Sequence, residues 1–541
     1  MKLVTVEEMK AIEKEADAGG LSYDQMMENA GRGLAELLLD LVDGGLEGLE
    51  VFGLVGAGNN GGDTLVALAE LARRGWKARA YLIKRKQDAL VKRLLDAGGD
   101  AASASEDKEF KALATLLRTA DVLLDGVLGT GIKLPLKEEI GNILAESIYV
   151  MADMPEPPLV VAVDCPSGVD CDTGEAADEC IPADLTITMA AVKQGLLRLP
   201  AFEYVGELKV VDIGLPEDLQ ALQKVGVEIA DEEMIAALLP DRPVDAHKGT
   251  FGTALIAAGS LNYTGAALLA GQAAYRIGAG LVTLAVPAPL HTALAGQFPE
   301  ATWVLLPHEL GVISRSAIEV LAKNYERATA LLVGPGLGME DTTRDFVEAL
   351  VSRRSVSKKS GSRIGFVHYE AESQRSGGGE LPPLVIDADG LTLLAQIKDW
   401  HAQLPAPAIL TPHPGEMAAL TGFSKEEIQE NRQPIASKCA VQWGHVVVLK
   451  GAFTVVAAPD GRTVVVPVAS SALARAGTGD VLAGLIVGLR AQGLEAFDAA
   501  VAGAWIHARA GLYAADDLGT TASVLAGDLL GSISDVISDL L

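Results

Sequence analysis

Residues 51–63 read Val-Phe-Gly-Leu-Val-Gly-Ala-Gly-Asn-Asn-Gly-Gly-Asp, and this run constrains the fold more than any other part of the chain. Residues 51–55 are apolar and β-prone, which predicts a buried strand. Residues 64–75 carry Leu65, Leu68, Ala69 and Ala72 at helical spacing, which predicts a helix. The glycines between let the backbone turn sharply and approach a ligand, and a helix start offers unpaired N–H groups to an anion. A glycine-rich strand-to-helix turn is by itself weak evidence. Asn59, Asn60 and Asp63 add oxygen acceptors for ribose hydroxyls or a cation where the usual fingerprint has glycines and small residues.

A chain of 541 residues is too long for one ordinary core, so two or more domains are expected. The boundary falls near residues 217–230, giving domains 1–222 and 223–541. Apolar residues make up 49%, enough for large cores. The net charge of −28, from 72 acidic and 44 basic residues, opposes attraction to nucleic acid or anionic membranes. Cys165, Cys171, Cys180 and Cys439 form neither a disulfide framework nor a zinc pattern. The first residues lack a signal-peptide pattern and no apolar run reaches spanning length. These features predict a soluble cytoplasmic protein, with no nucleic-acid or membrane partner, that forms a homo-oligomer.

Thr5 and Glu8 predict a capping box before a first helix, and Ser22 with Gln25 before a second. Strand-like runs then alternate with helices at 51–55, 78–83, 122–125, 159–164, 185–189 and 208–211. A second series has strands at 253–258, 281–286, 330–333, 384–387, 408–411, 445–449, 453–457 and 463–466. Alternation of this kind predicts mostly parallel sheets with helices on both faces, an α/β class in both halves. Residues 352–382, with Gly377, Gly378 and Gly379, read as a solvated surface insertion.

Three further turns join the first loop at the strand ends where open sheets place ligands. Asp125 leads into Gly126-Val-Leu-Gly-Thr-Gly131, Asp164 into Cys165-Pro-Ser-Gly168, and Lys193 follows the strand at 185–189. A strand-end aspartate alone is more often a turn former; several in sheet order shift the reading to function. Their oxygens suit a hard monovalent or divalent cation.

These segments, with Met27-Glu-Asn-Ala-Gly31, resemble the YjeF N-terminal family over nearly all of residues 1–215. Its members are NAD(P)H-hydrate epimerases with a Rossmann-like, three-layer fold. The resemblance implies that Asn60, Asp125 and Ser167 hold a potassium ion. It implies that Asn59, Asn60, Gly61, Gly62 and Asp63, with Gly129, Thr130, Gly131, Ile132, Lys133, Leu134 and Pro135, cradle the hydrated dinucleotide (NADHX or NADPHX). Asp164 would contact the reacting ring and shuttle a proton, with Lys193 beside it. The family loop ends in Gly after the Asp; here Thr64 stands there, and tighter packing is expected.

Farther along, Ala476-Gly-Thr-Gly-Asp480 precedes an apolar helix whose first N–H groups make an anion hole. It accompanies Lys450-Gly-Ala-Phe-Thr454, Gly334-Pro-Gly-Leu-Gly338, Asp387-Ala-Asp-Gly390, Thr411-Pro-His-Pro-Gly-Glu416 and His247-Lys-Gly-Thr-Phe-Gly252. Over about residues 230–541 these resemble the YjeF C-terminal family, a ribokinase-like branch of ADP- or ATP-dependent NAD(P)H-hydrate dehydratases. The resemblance implies that Lys450, Gly451, Ala452, Phe453, Thr454 and Gly479 bind ADP or ATP, with Mg2+. Ala266, Gly336, His413 and Asp480 would contact the hydrated dinucleotide, and Asp480 would activate its hydroxyl. A lone His between prolines reads as a rigid turn residue, but the motif around His413 favours substrate contact, while Asp387 and Asp389 read equally as turn formers. Arg475 departs from the family's glycine-rich lead and puts a cation beside the nucleotide site. The alternative is a small-molecule kinase fused to a nucleotide- or RNA-binding scaffold. A kinase leaves a stable phosphorylated product, whereas a dehydratase releases phosphate.

Overall fold

The computed structural model describes residues 1–41, 48–352 and 380–541. It divides into two compact units, Met1–Val227 and Glu228–Leu541. Most of the expected insertion at 352–382, including its three consecutive glycines, lies outside the described residues.

In the N-terminal unit, seven parallel strands lie in the order Asp100–Ser103, Lys77–Leu82, Glu50–Val55, Val122–Gly126, Leu159–Val163, Leu185–Met189 and Glu207–Val211. The chain starts this sheet at Glu50–Val55, builds outward to Asp100–Ser103, then returns to Val122–Gly126 on the other side. Loops leaving those two central strands diverge and open a crevice at their carboxyl ends, the doubly wound, Rossmann-like arrangement. Val51 and Val55 join one core with Ile12, Leu34 and Leu65, while Phe52 and Leu54 join another with Tyr81 and Leu113. Two buried faces make three layers. Each fully buried Leu there contributes about 1.5–3 kcal/mol relative to exposure.

Thr5 and Glu8 form the reciprocal capping box of helix Val6–Ala18. Ser22 Oγ accepts the Gln25 N–H at 3.3 Å before helix Tyr23–Leu41. The two-residue strand Leu3–Val4 pairs in parallel with Val192–Lys193. That pairing docks the first helix beside Lys193, a contact invisible in the local sequence.

The glycine-rich turn differs from expectation. The helix begins at Asn59, not at Thr64, so the Asn-Asn-Gly-Gly-Asp run is its first turn and not a loop. A Cβ on Gly61 would lie 2.0 Å from the Gly56 carbonyl oxygen, and one on Gly62 would lie 2.6 Å from Met27 Sδ. These two glycines allow the helix start to press on the strand end and on the neighbouring helix. Thr64 tightens the same joint: its buried hydroxyl donates to the Asn60 carbonyl at 2.8 Å, and a Cβ on Gly126 would sit 1.9 Å from it.

The C-terminal unit is built on a ten-stranded sheet. Seven of its strands run in parallel, in the order Val446–Leu449, Ile409–Leu410, Leu384–Ile386, Ala330–Val333, Thr253–Ala257, Leu281–Pro287 and Thr302–Leu306. Val455–Ala457 and Thr463–Val465 continue past Val446–Leu449 as antiparallel neighbours. Asp100–Ser103 and Thr302–Leu306 have no counterpart in the sequence reading. Both are partly exposed strands at sheet edges, specified by their neighbours more than by their own apolarity.

Helices Thr264–Arg276 and Thr478–Ala491 pack in parallel through small residues. A Cβ on Gly484 would lie 2.3 Å from the Ala270 carbonyl oxygen, and one on Gly488 would lie 2.9 Å from Ala274 Cα. One turn toward the N-termini, this register aligns Asp480 with Ala266.

Candidate active sites

A cavity of about 450 Å³ fills the crevice of the N-terminal unit. Of the expected residues, Asn59, Asn60, Asp63, Gly129, Thr130, Gly131, Ile132, Asp164 and Lys193 line it. Gly61 and Gly62 instead serve the packing described above, and the lining of the second loop stops at Ile132, short of Lys133, Leu134 and Pro135. The sequence reading missed Glu13, Lys10, Tyr23 and Lys84, which also line the cavity. Glu13 sits one residue from the core-facing Ile12, so the helical pattern offers nothing to single it out. Arg85 was missed as well; its Nη1 donates to the Gly56 and Gly58 carbonyls at 3.0 and 3.1 Å and braces the glycine turn.

Asp164 follows its strand in the left-handed region, φ 64°, a conformation that Asp tolerates better than most residues. Its Oδ1 accepts from Lys193 Nζ at 2.5 Å, the Met189 N–H at 3.0 Å and Thr188 Oγ1 at 3.1 Å. Lys193 is 1% exposed and also donates to Thr188 Oγ1 and the Met189 carbonyl, each at 2.9 Å. Burial raises the Glu13 carboxyl above its ordinary value, the nearby Lys193 opposing and Asp164 adding to the shift. Burial, then the charges of Asp164 and Glu13, hold Asp63 well above its ordinary value.

Asn60, Asp125 and Ser167 meet around Leu128. Asn60 Nδ2 donates to the Leu128 carbonyl at 2.7 Å, Ser167 Oγ accepts the Leu128 N–H at 2.9 Å, and the Ser167 N–H donates to Asp125 Oδ2 at 2.8 Å. Asn60 Oδ1 is buried without a hydrogen-bond partner. Burial raises the Asp125 carboxyl, with the Ser167 hydrogen bonds opposing. An orphaned amide oxygen, a hydroxyl and one desolvated carboxyl are a donor set that fits a weakly hydrated cation. Among the described residues there is no group of three or more His, Cys, Asp or Glu suited to a metal ion.

In the C-terminal unit, Gly477 adopts φ 92° as the cap of helix Thr478–Ala491, and Asp480 lies in its first turn. Burial, then the charge of Asp387, push the Asp480 carboxyl up to about 7, with Lys450 opposing. Lys450 Nζ lies 2.6 Å from Asp387 Oδ1, 3.7 Å from Glu416 Oε2 and 3.7 Å from where a Cβ on Gly479 would be. Burial lowers the Lys450 pKa, but the carboxylates of Asp387 and Glu416 outweigh it and hold the ammonium above its ordinary value. Asp387 Oδ1 also accepts from Thr411 Oγ1 at 2.7 Å, and its Oδ2 is buried without a partner. Asp387 is therefore an interior member of the cluster and not a turn former. Asp389 does brace a turn, accepting the Gly338 N–H at 2.9 Å.

The other expected residues divide. A Cβ on Gly336 would lie 2.8 Å from Ala266 Cβ, so those two are neighbours. His413 caps helix Pro414–Thr421, its Nδ1 accepting the Gly415 and Glu416 N–H groups, and Glu416 links it to Lys450. The Lys450 ammonium is occupied by Asp387, so the open part of its turn is the exposed backbone of Gly451 and Ala452. Phe453 holds φ 54°, and Thr454 Oγ1 closes the turn onto the Gly451 carbonyl at 2.9 Å. Arg475, expected beside the nucleotide, donates to the Ala522 carbonyl. Arg432, which the sequence reading missed, stands against Gly451 and donates to the Leu449 carbonyl at 2.8 Å.

Comparison with known proteins finds a different family match in each half of the chain. Residues 23–195 match the family model described as YjeF-related protein N-terminus, and residues 254–358 and 370–534 match that described as NAD(P)H-hydrate dehydratase. The bifunctional NAD(P)H-hydrate repair enzyme of Moorella thermoacetica is 35% identical over 551 residues, covering 100% of this chain and 97% of its own. The chain belongs to the bifunctional NAD(P)H-hydrate repair enzyme family. A second family member, from Salinibacter ruber, is 37% identical over 96% of this chain and 93% of its own. The crystal structure of the ADP/ATP-dependent NAD(P)H-hydrate dehydratase of Bacillus subtilis, co-crystallized with ATP/Mg2+, is 30% identical over 58% of this chain and 99% of its own, with a TM-score of 0.46. Among the described residues, no helix is long and apolar enough to cross a membrane.

Proposed function

We propose that the N-terminal unit interconverts the R and S epimers of hydrated NADH and NADPH, and that the C-terminal unit dehydrates the S epimer at the expense of ADP or ATP. The observation that carries the first activity is the Asp164–Lys193 pair at the cavity wall. Epimerising a hydroxylated carbon beside the ring nitrogen requires its carbon–oxygen bond to break and re-form from either face. A part-buried carboxylate steadied by a buried ammonium is suited to carry the proton. Asn59, Asp63 and the loop at Gly129, Thr130, Gly131 and Ile132 would hold the dinucleotide.

In the C-terminal unit, Asp480 would take the proton of the substrate hydroxyl. A base helps most when its pKa lies near the working pH, and burial has put Asp480 at about 7. Gly479 and the Lys450, Gly451, Ala452, Phe453 and Thr454 turn would receive the adenine nucleotide, and Ala266, Gly336 and His413 the substrate. The hydroxyl, once phosphorylated, leaves as phosphate and the double bond returns.

Potassium would sit among Asn60 Oδ1, Asp125 and Ser167, where the orphaned oxygen supports it and the ion would fix the loop around Leu128. Magnesium would enter with the nucleotide; the unpartnered Asp387 Oδ2 is the protein oxygen suited to it. The decisive experiment supplies each epimer separately with ADP or ATP and follows reduced-nicotinamide absorbance together with phosphate release. Recovery from both epimers, with stoichiometric phosphate, is expected. Recovery from S alone would remove the epimerase reading, and a stable phosphorylated product would remove the dehydratase reading.

A further inference from the structure

The N-terminal cavity holds three carboxyl groups and one buried ammonium, and the hydrogen bonds divide them unequally. Lys193 Nζ donates to Asp164 Oδ1, Thr188 Oγ1 and the Met189 carbonyl, which uses all three N–H groups of an ammonium. Asp164 Oδ1 collects three donors, from Lys193, Thr188 and the Met189 N–H. Its Oδ2 accepts no hydrogen bond from another described residue and remains free to take a proton. Glu13 and Asp63 line the same cavity, and neither carboxyl group forms a hydrogen bond or ion pair with another described residue. Lys193 has no N–H left for them. Like charges gathered around one ammonium cannot all ionise cheaply, so the two unpaired carboxyls are where the site keeps protons.

Of these two, Asp63 is only 9% exposed in the first helix turn after the glycines, while Glu13 is half-buried and turned to the cavity on a longer arm. The charged groups acting on Glu13 are Lys10 on its own helix, Lys193 and Asp164; burial outweighs both lysines. Asp63 faces Asp164, Glu13, Lys193 and Arg85.

We propose that Glu13 is the proton donor of the epimerisation, acting opposite Asp164 as the proton acceptor; this rests on the epimerase reading of the unit. The Glu13 carboxyl gives its proton to the ring hydroxyl. The carbon–oxygen bond breaks, its electron pair leaves with the oxygen as water, and the ring-nitrogen lone pair forms a C=N bond. Water adds to the other face of that carbon and the C=N pair returns to nitrogen. The proton this water sheds goes to Asp164 Oδ2 and returns through solvent to Glu13. Nothing is oxidised or reduced, and the sum is an isomerisation.

The test uses the full chain and the purified R epimer without nucleotide, reading conversion to S, with ADP-dependent dehydration of S as the control for an intact protein. Glu13→Gln should lower kcat by about a hundred- to ten-thousand-fold with little change in KM. Glu13→Asp, which keeps a proton on a shorter arm, should recover part of it. The wild-type rate should fall at high pH as the donor deprotonates, and Glu13→Gln should lose that limb. A Glu13→Gln protein that epimerises at the wild-type rate, or keeps the high-pH limb, overturns the proposal. Wild-type protein that leaves the R epimer unchanged overturns the epimerase reading, and this proposal with it.

Discussion

Lys450 Nζ contacts Asp387 Oδ1 at 2.6 Å, joining the end of strand Val446–Leu449 to the end of strand Leu384–Ile386 across the strand that separates them. Thr411, just past that middle strand, donates to the same carboxylate oxygen. Three consecutive strand ends are thereby tied at one point, beside the helix start that carries Asp480. Removing the ammonium leaves Asp387 buried and uncompensated. Lys450→Met should therefore cost about 3–5 kcal/mol in urea unfolding of the C-terminal unit. Adding Asp387→Asn should restore much of the stability and none of the dehydration. A single variant as stable as wild type would show that the pair is not holding these strand ends.

The raised pKa of Asp480 sets a pH profile. The group is protonated below about 7 and cannot act as a base there, so kcat/KM for phosphate release should rise tenfold per pH unit below that value and level off above it. Asp480→Ala should cost about a hundred- to ten-thousand-fold in rate while nucleotide affinity persists. A stability consequence follows with its sign. Between the ordinary value of 3.8 and about 7 the folded chain keeps a proton that the unfolded chain has lost, so this group's contribution to stability falls as pH rises through that window. Thermal midpoints measured across the window, for wild type and Asp480→Asn, check it.

Asp164→Asn should fold and bind dinucleotide but lose epimerisation, because an amide cannot exchange the proton. Its dehydratase should still convert the S epimer. Consumption of the R epimer at the wild-type rate would move the base elsewhere.

Potassium should stabilise the N-terminal unit through the Asn60, Asp125 and Ser167 cluster. Ligand at a hundred times its Kd contributes about 2.7 kcal/mol, so the thermal midpoint should rise with potassium. Asp125→Asn should flatten that dependence. An equal response in wild type and variant would place the ion elsewhere.

Gly484→Ala probes the register that aligns Asp480 with Ala266. The new Cβ would sit 2.3 Å from the Ala270 carbonyl oxygen, backbone that yields only if the helix shifts. Overpacking of this kind costs about 1–3 kcal/mol, against about 1 kcal/mol gained in helix propensity. Dehydration should slow as well, because the shift moves Asp480. A variant of unchanged stability and rate would mean the helices part without consequence.

The sequence by itself determined the strand-turn-helix succession of both units and the type of chemistry at each strand end. Apolar runs of strand length, glycines and isolated Asp, Asn and Lys are local signals, and parallel sheets bring such turns to one edge. The boundaries of the glycine turn were not legible, since Asn59 to Asp63 is helical only because Gly61 and Gly62 fit against Gly56 and Met27. Glu13 reads as an ordinary exposed-face residue until Leu3–Val4 pairs with Val192–Lys193 and carries its helix to the cavity. The same holds for Lys450, whose motif, like that of His413, suggested ligand contact. Tertiary packing gave Lys450 a buried carboxylate partner, whereas His413 caps its own helix through contacts within residues 413–416. Residue type sets what a side chain can do; burial and the partners that long-range packing supplies decide which group keeps a proton, and that information lies in no single segment.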